Sequence, residues 1–212
     1  MSDTIIDSLK WRYATKIFDH KRIIESEKID RICEAFNLTA TSYGLQPIKL
    51  LVIQNKEIQA KILPLAFDQL QVSTASHILI LCIENSIDTD FIASYFKNIK
   101  NKRTQGHDEI DAYQEVLNSR FEIKTKEEIK LWATKQAYLA LGNLLTVCAL
   151  EKIDSCPMEG FLPQQLDELL ELNSKGISSV LLLPIGYRSK EDNSSNAAKV
   201  RRPLKESIQH IF

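Results

Sequence analysis

HILILCI, residues 77–83, is apolar from its second position to its last and rich in β-branched isoleucine. A run of this length is too short for a core helix and reads as a strand buried on both faces. IKLLVI at 48–53 and VLLLPI at 180–185 repeat its character, so three buried strands are expected. The intervening sequence has a different period. Ile29, Ile32, Cys33 and Phe36 form an i, i+3, i+4, i+7 stripe within Glu27–Ala40, with Lys28, Asp30, Arg31 and Glu34 opposite, which predicts an amphipathic helix. Lys56–Asp68 and the stretch from Asp88 to about Arg120 also read as helices, the latter with a break in the basic tract KNIKNKRTQGH around Gly106. Strands separated by long helices predict a mixed sheet flanked by helices rather than a sandwich.

Thr125-Lys-Glu-Glu128 has the spacing and chemistry of a capping box, so a long helix should start there. Its stripe of Ile129, Trp132, Ala133, Gln136, Ala140, Leu144 and Cys148 keeps helical period, and beyond Ala137 the outer face turns apolar as well. Such a helix must be covered on all sides, by its own domain or by a partner subunit. The uncharged run Gln136–Leu150 falls short of the roughly 20 residues that cross a bilayer and reads as core.

The chain has 212 residues, 44% hydrophobic and 26% charged, with a net charge of -1, as expected of one globular domain over residues 1–212. That balance gives no field for nucleic acid or an anionic membrane. KNIKNKR lacks the interleaved aromatics of a single-strand binder. Cys33, Cys82, Cys148 and Cys156 form no CxxC pair and no metal-ligand spacing exists, so reduced thiols and no metal are expected. The N-terminus lacks the apolar core of a signal peptide, which predicts a cytoplasmic protein. The six glycines are too far apart for GxGxxG or a phosphate loop, so a bound phosphate would need side-chain cations.

Five segments hold polar residues that each have an ordinary reading in isolation: Arg12–Lys16 as a solvated face, Thr41–Pro47 as a helix-to-strand connection, Asp68–Gln71 as surface, Pro157–Phe161 as a turn, and Lys199–Pro203 as a basic tail. Their order and spacing carry more. SLKWRYATKIFD, TATSYGLQP, AFDQLQVSTASH, KQAYLALGNLL, CPMEGF, LLLPIGYRSKED and KVRRP, running from residue 9 to 203, resemble the FMN-dependent NAD(P)H nitroreductase family, in its oxygen-insensitive nitroreductase and dihydropteridine reductase branch.

The resemblance implies an α+β homodimer with the long helix at the interface and the C-terminal tail packed on the partner subunit. It implies FMN as cofactor, NADH or NADPH as donor, and a small electron-poor acceptor: a nitroaromatic, a quinone or a dihydropteridine. Arg12, Tyr13 and Ala14, with Lys199 and Arg201, would surround the FMN phosphate and ribityl chain. Lys16 would lie at the N1 and C2 carbonyl edge of the flavin, where a cation stabilises the reduced form. Asp68 and Gln71 match positions at the pyrimidine edge. Asn is more usual in place of Asp68; an ionised Asp cannot donate there, although it could accept from flavin N3–H. Pro157, Met158, Glu159 and Gly160 resemble the turn whose backbone N–H groups face N5 and O4, and Thr41, Ser42 and Gly44 the loop that reaches the partner's FMN. Acceptor contacts would come from about 91–121. With the chemistry on the cofactor, no protein catalytic acid or base is expected, in keeping with the absence of a paired carboxylate or nucleophile triad. A non-catalytic FMN-binding protein of the same fold is the alternative.

Overall fold

The computed structural model describes residues 2–103 and 107–212. In chain order its helices and strands are α1 (Ser2–Trp11), α2 (Ser26–Asn37), β1 (Ile48–Ile53), α3 (Lys56–Leu65), α4 (Leu70–Thr74), β2 (His77–Glu84), α5 (Thr89–Lys102), α6 (His107–Glu122), α7 (Lys126–Leu150), β3 (Asp154–Ser155), α8 (Pro163–Leu169), β4 (Ile177–Gly186) and α9 (Leu204–Ser207). The expected break around Gly106 lies outside the described residues.

β2 sits inside the sheet, whose order is β1-β2-β4-β3. It pairs with β1 from Ile48↔Ile83 to Ile53↔Ile78, and with β4 from His77↔Ile185 to Glu84↔Ile177 with a register shift at Leu81/Cys82. Every one of these strand pairs is antiparallel, as is β3 with β4. The expected mixed sheet is thereby corrected: among the described residues the one parallel element is an isolated bridge, Ala14 to Ser155. The unbroken apolar runs report that both faces are covered, which antiparallel strands achieve as readily as parallel ones when helices lie on each side.

Leu79, Leu81, Ile83, Leu181 and Leu183 pack on one face with Ile32 of α2 and Ala137, Ala140, Leu144 and Cys148 of α7. Ile78, Ile80, Cys82 and Leu182 point the other way, against Ile62, Val72, Leu166 and Phe18. Burial pushes the Cys82 and Cys148 thiols up to about 12, so both behave as apolar packing groups. A third cluster, with Ile92, Phe96, Leu117 and Phe121, joins α5 and α6.

α7 starts at the capping box: Glu128 N–H donates to Thr125 Oγ1 at 3.2 Å, and Thr125 N–H to Glu128 Oε2 at 2.8 Å. α3 ends earlier than its hydrophobic period suggests. Pro64 lies in its last turn, and Phe67 and Asp68 then adopt positive φ of 56° and 53°, which reverse the chain into α4. No described helix is long and apolar enough to cross a membrane.

Candidate functional site

After α1 the chain runs extended through Arg12–Lys16 and adds to the sheet edge, where Thr15 N–H donates to Ser155 O at 3.3 Å. Asp192 fixes this strip to the far end of the chain. One carboxylate oxygen accepts from Lys16 N–H at 2.7 Å, Ile17 N–H at 3.2 Å and Tyr13 OH at 3.2 Å, and the other from Ser194 N–H at 2.9 Å. Burial alone would raise its pKa, but the backbone donors of Lys16, Ile17 and Ser194 outweigh this and hold it below the usual carboxylate range.

Held in this way, the tail crosses back over the strip. Arg12, Tyr13, Ala14 and Lys16 share a cleft of about 380 Å³ with Lys199 and Arg201. Lys199 Nζ donates to the Arg12 carbonyl oxygen. The Arg12 Nε–H is buried without an acceptor among the described residues. Burial, then the charge of Arg201, lowers the Arg12 pKa; Lys199 is lowered by burial, then by Arg12 and Arg201. An orphaned buried donor among mutually repelling cations is a cleft suited to an anion, which would satisfy the one and relieve the other.

Lys16 leads from this cleft to a second group of residues. Its Nζ lies 3.9 Å from Cys156 Sγ, immediately before the Pro157–Gly160 turn. Met158 pairs with β4, donating to Leu182 O at 2.8 Å and accepting from Leu182 N–H at 3.1 Å, so its own amide is occupied. The N–H groups of Glu159 and Gly160 have no acceptor among the described residues. Gln69 ties this turn to the α3–α4 reversal: its Nε2 donates to Gly160 O at 2.9 Å and Ala66 O at 3.0 Å, while its Oε1 accepts from Gln71 Nε2 at 3.0 Å. Gln71 is buried; Asp68 is exposed. Pro157 is half-buried.

Thr41, Ser42 and Gly44 lie elsewhere in the subunit. Ser42 N–H donates to Gln136 Oε1 at 2.8 Å, Thr41 Oγ1 accepts from Gln46 N–H, and the intervening Tyr43 stacks on Trp132. α7 keeps loop and turn apart. Gln136 holds the loop, and Tyr138 donates through its hydroxyl to Glu159 Oε1 at 2.5 Å. Two residues apart on a helix is about 200° of rotation, so the two side chains leave on nearly opposite sides.

Asp192, Gln69 and Cys156 are site residues that the sequence reading missed. Asp-Asn-Ser-Ser does carry a signal, since an Asp two residues before a bonded N–H is a turn former, but it names only the local partner.

The sequence profile of the Nitroreductase family matches residues 9–187. The chain belongs to this family. A Staphylococcus haemolyticus relative, provisionally named an NAD(P)H nitroreductase, is 31% identical over 219 residues, covering 100% of this chain and 99% of its own. A nitroreductase-like protein of Streptococcus mutans shares the fold with a TM-score of 0.86 at 22% identity, with both chains fully covered. An Exiguobacterium sibiricum protein, provisionally named a nitroreductase and solved with FMN, matches with a TM-score of 0.84 at 22% identity over 98% of this chain and 97% of its own. The nitroreductase match includes Arg12 and the 157–160 turn but stops short of Lys199 and Arg201. The tail's share of the cleft therefore lies outside the family profile and is read from the geometry.

Proposed function

We propose that the chain is an FMN-dependent NAD(P)H oxidoreductase working as a homodimer. The observation that carries this reading is the meeting of Arg12 with Lys199 and Arg201, from opposite ends of the sequence, around a buried guanidinium N–H with no acceptor among the described residues. A phosphate monoester, with a charge of about -2 and three acceptor oxygens, answers that need. Arg12, Lys199 and Arg201 would hold it, with Tyr13 and Ala14 as the cleft wall. The bound flavin would supply the redox chemistry, accepting hydride from NAD(P)H and passing electrons to an electron-poor acceptor.

The remaining residues bind and orient. Lys16 sets a positive charge beyond the phosphate end, where it favours an electron-rich ring. The Glu159 and Gly160 N–H groups offer neutral donors that need lose no proton, and the Tyr138 bond to Glu159 keeps that carboxylate off them. Gln71 lies at the same end, and Asp68 would serve as an acceptor there. Thr41, Ser42 and Gly44 would complete the partner's site. Nitroaromatics, quinones and dihydropteridines are the acceptor classes to test, with residues 91–121 supplying acceptor contacts.

The purified protein should be yellow, release FMN on denaturation, and lose its visible flavin band when mixed anaerobically with NADH or NADPH. Steady-state assays against a nitrofuran, menadione and a dihydropteridine would then rank the acceptors. A colourless protein that cannot be reconstituted with FMN would overturn the reading. A non-catalytic flavin carrier is favoured only by Asp68, which stands exposed where Asn is more usual, and it would keep its colour with both donors.

A further inference from the structure

A second charged hollow lies on the other side of Trp11, which lines both it and the cleft just described. Its volume is about 470 Å³, and four cations but only two carboxylates line it. The two carboxylates that line it, and Glu151 beside the rim, each already have a cation. Asp154 takes Arg188 through Nε at 2.8 Å and Nη2 at 2.5 Å, Glu25 takes Lys28 at 3.7 Å, and Glu151, beside the rim, takes Arg31 through two bonds of 2.9 Å. The Asp19 carboxylate accepts from the Lys21 backbone.

Arg22 and Lys152 are left without a carboxylate among the described residues. The Arg22 guanidinium carbon stands 3.9 Å from the centre of the Tyr187 ring, and Lys152 Nζ lies 5.1 Å from that of Trp11 while donating to Ser8 Oγ at 3.3 Å. Aromatic faces thus fix two uncompensated charges in place. Lys152 also has a φ of 56° directly after α7, where glycine is the usual residue, so a long cationic side chain is kept at some backbone strain.

The geometry points to a second anion site in this hollow, for a phosphorylated small molecule held by Arg22 and Lys152. Two free positive charges match a phosphate dianion, and the volume leaves room for a body the size of a nucleoside. Arg22 and Lys152 take no part in the flavin cleft. Binding here would therefore draw on none of the cations of that cleft, although Trp11 is shared.

Calorimetric titration of the FMN-loaded protein with adenosine 5′-monophosphate, inorganic phosphate and adenosine tests the site. Adenosine 5′-monophosphate should bind, inorganic phosphate more weakly, and adenosine not at all. Arg22→Gln and Lys152→Asn, both at exposed positions and the latter tolerant of positive φ, should each weaken nucleotide binding about tenfold while flavin content stays unchanged. Absence of binding, equal binding of adenosine, affinity untouched by both substitutions, or displacement of FMN by the nucleotide would each overturn the assignment.

Discussion

Asp192 shows how a single residue can shape a cleft without lining it. It collects Lys16, Ile17, Tyr13 and Ser194 on one carboxylate, and so determines where both the N-terminal strip and the tail run. Hydrogen bonds to a charged group are worth about 1.5–3 kcal/mol, and Asp192→Asn keeps the shape while removing the charge, so a loss of about 2 kcal/mol in urea unfolding is expected near neutrality. Its folded pKa lies below the ordinary carboxylate value. The stabilisation is then complete above that ordinary value and disappears as pH falls through the folded pKa. The gap between the two proteins should therefore hold near neutrality and close in strong acid; a gap that persists there would refute the linkage. Arg12 is the counterpart of Asp192 inside the cleft, where the proposed function places the FMN phosphate. Arg12→Gln removes the fork around the orphaned Nε–H, and FMN affinity, read by fluorescence of released flavin, should fall at least about tenfold.

At the scale of elements, the Thr41–Gly44 loop is shaped by what stands behind it. Gly44 has a φ of 75°, and a Cβ there would come within 2.1 Å of the Tyr95 hydroxyl oxygen, with the ring carbon bearing it at 3.0 Å. Gly44→Ala should cost about 2 kcal/mol through the left-handed backbone and the displaced ring. In a Tyr95→Phe background the cost should shrink, as a double-mutant cycle on thermal unfolding would reveal; identical costs in the two backgrounds would mean that the backbone acts alone. Tyr95 lies on α5, 51 residues further along the chain, and no local pattern announces that contact. The same limit explains what the sequence could disclose. Strands β1, β2 and β4, the α2 stripe and the α7 capping box were legible because period and capping act over a few residues. α4 and β3 were missed: five and two residues are too short for a period to register. The antiparallel order was hidden because buried strands look alike in either direction. The polar segments were recognisable only as an ordered series, whereas Gln69 and Asp192 owe their roles to partners far along the chain.

For the whole molecule, α7 carries the question of assembly. Its inner face packs on the sheet through Ala133, Ala137, Ala140, Leu144 and Cys148, whereas Leu131, Tyr138, Leu139 and Leu150 remain exposed. α1 packs beside α7 and adds exposed Ile5, Ile6 and Leu9, and the tail presents Val200, Leu204, Ile211 and Phe212. Apolar surface on this scale is costly to leave in water and suits the contact that the proposed homodimer requires. The same helix separates the Thr41–Gly44 loop from the Pro157–Gly160 turn, so on the proposed reading each would be a half-site that a second copy, related by a twofold axis, completes. Assembly and flavin binding then become linked. Leu139 is 54% exposed and lies outside the subunit's core, so Leu139→Asp should spare the fold while placing a charge in the contact. Sedimentation should show a dimer in the parent and a monomer in the variant, with native circular dichroism in both. Flavin content should fall with the dimer. A variant that becomes monomeric yet keeps its FMN would show that the cleft is complete within one chain; a parent that is itself a monomer would refute the assembly.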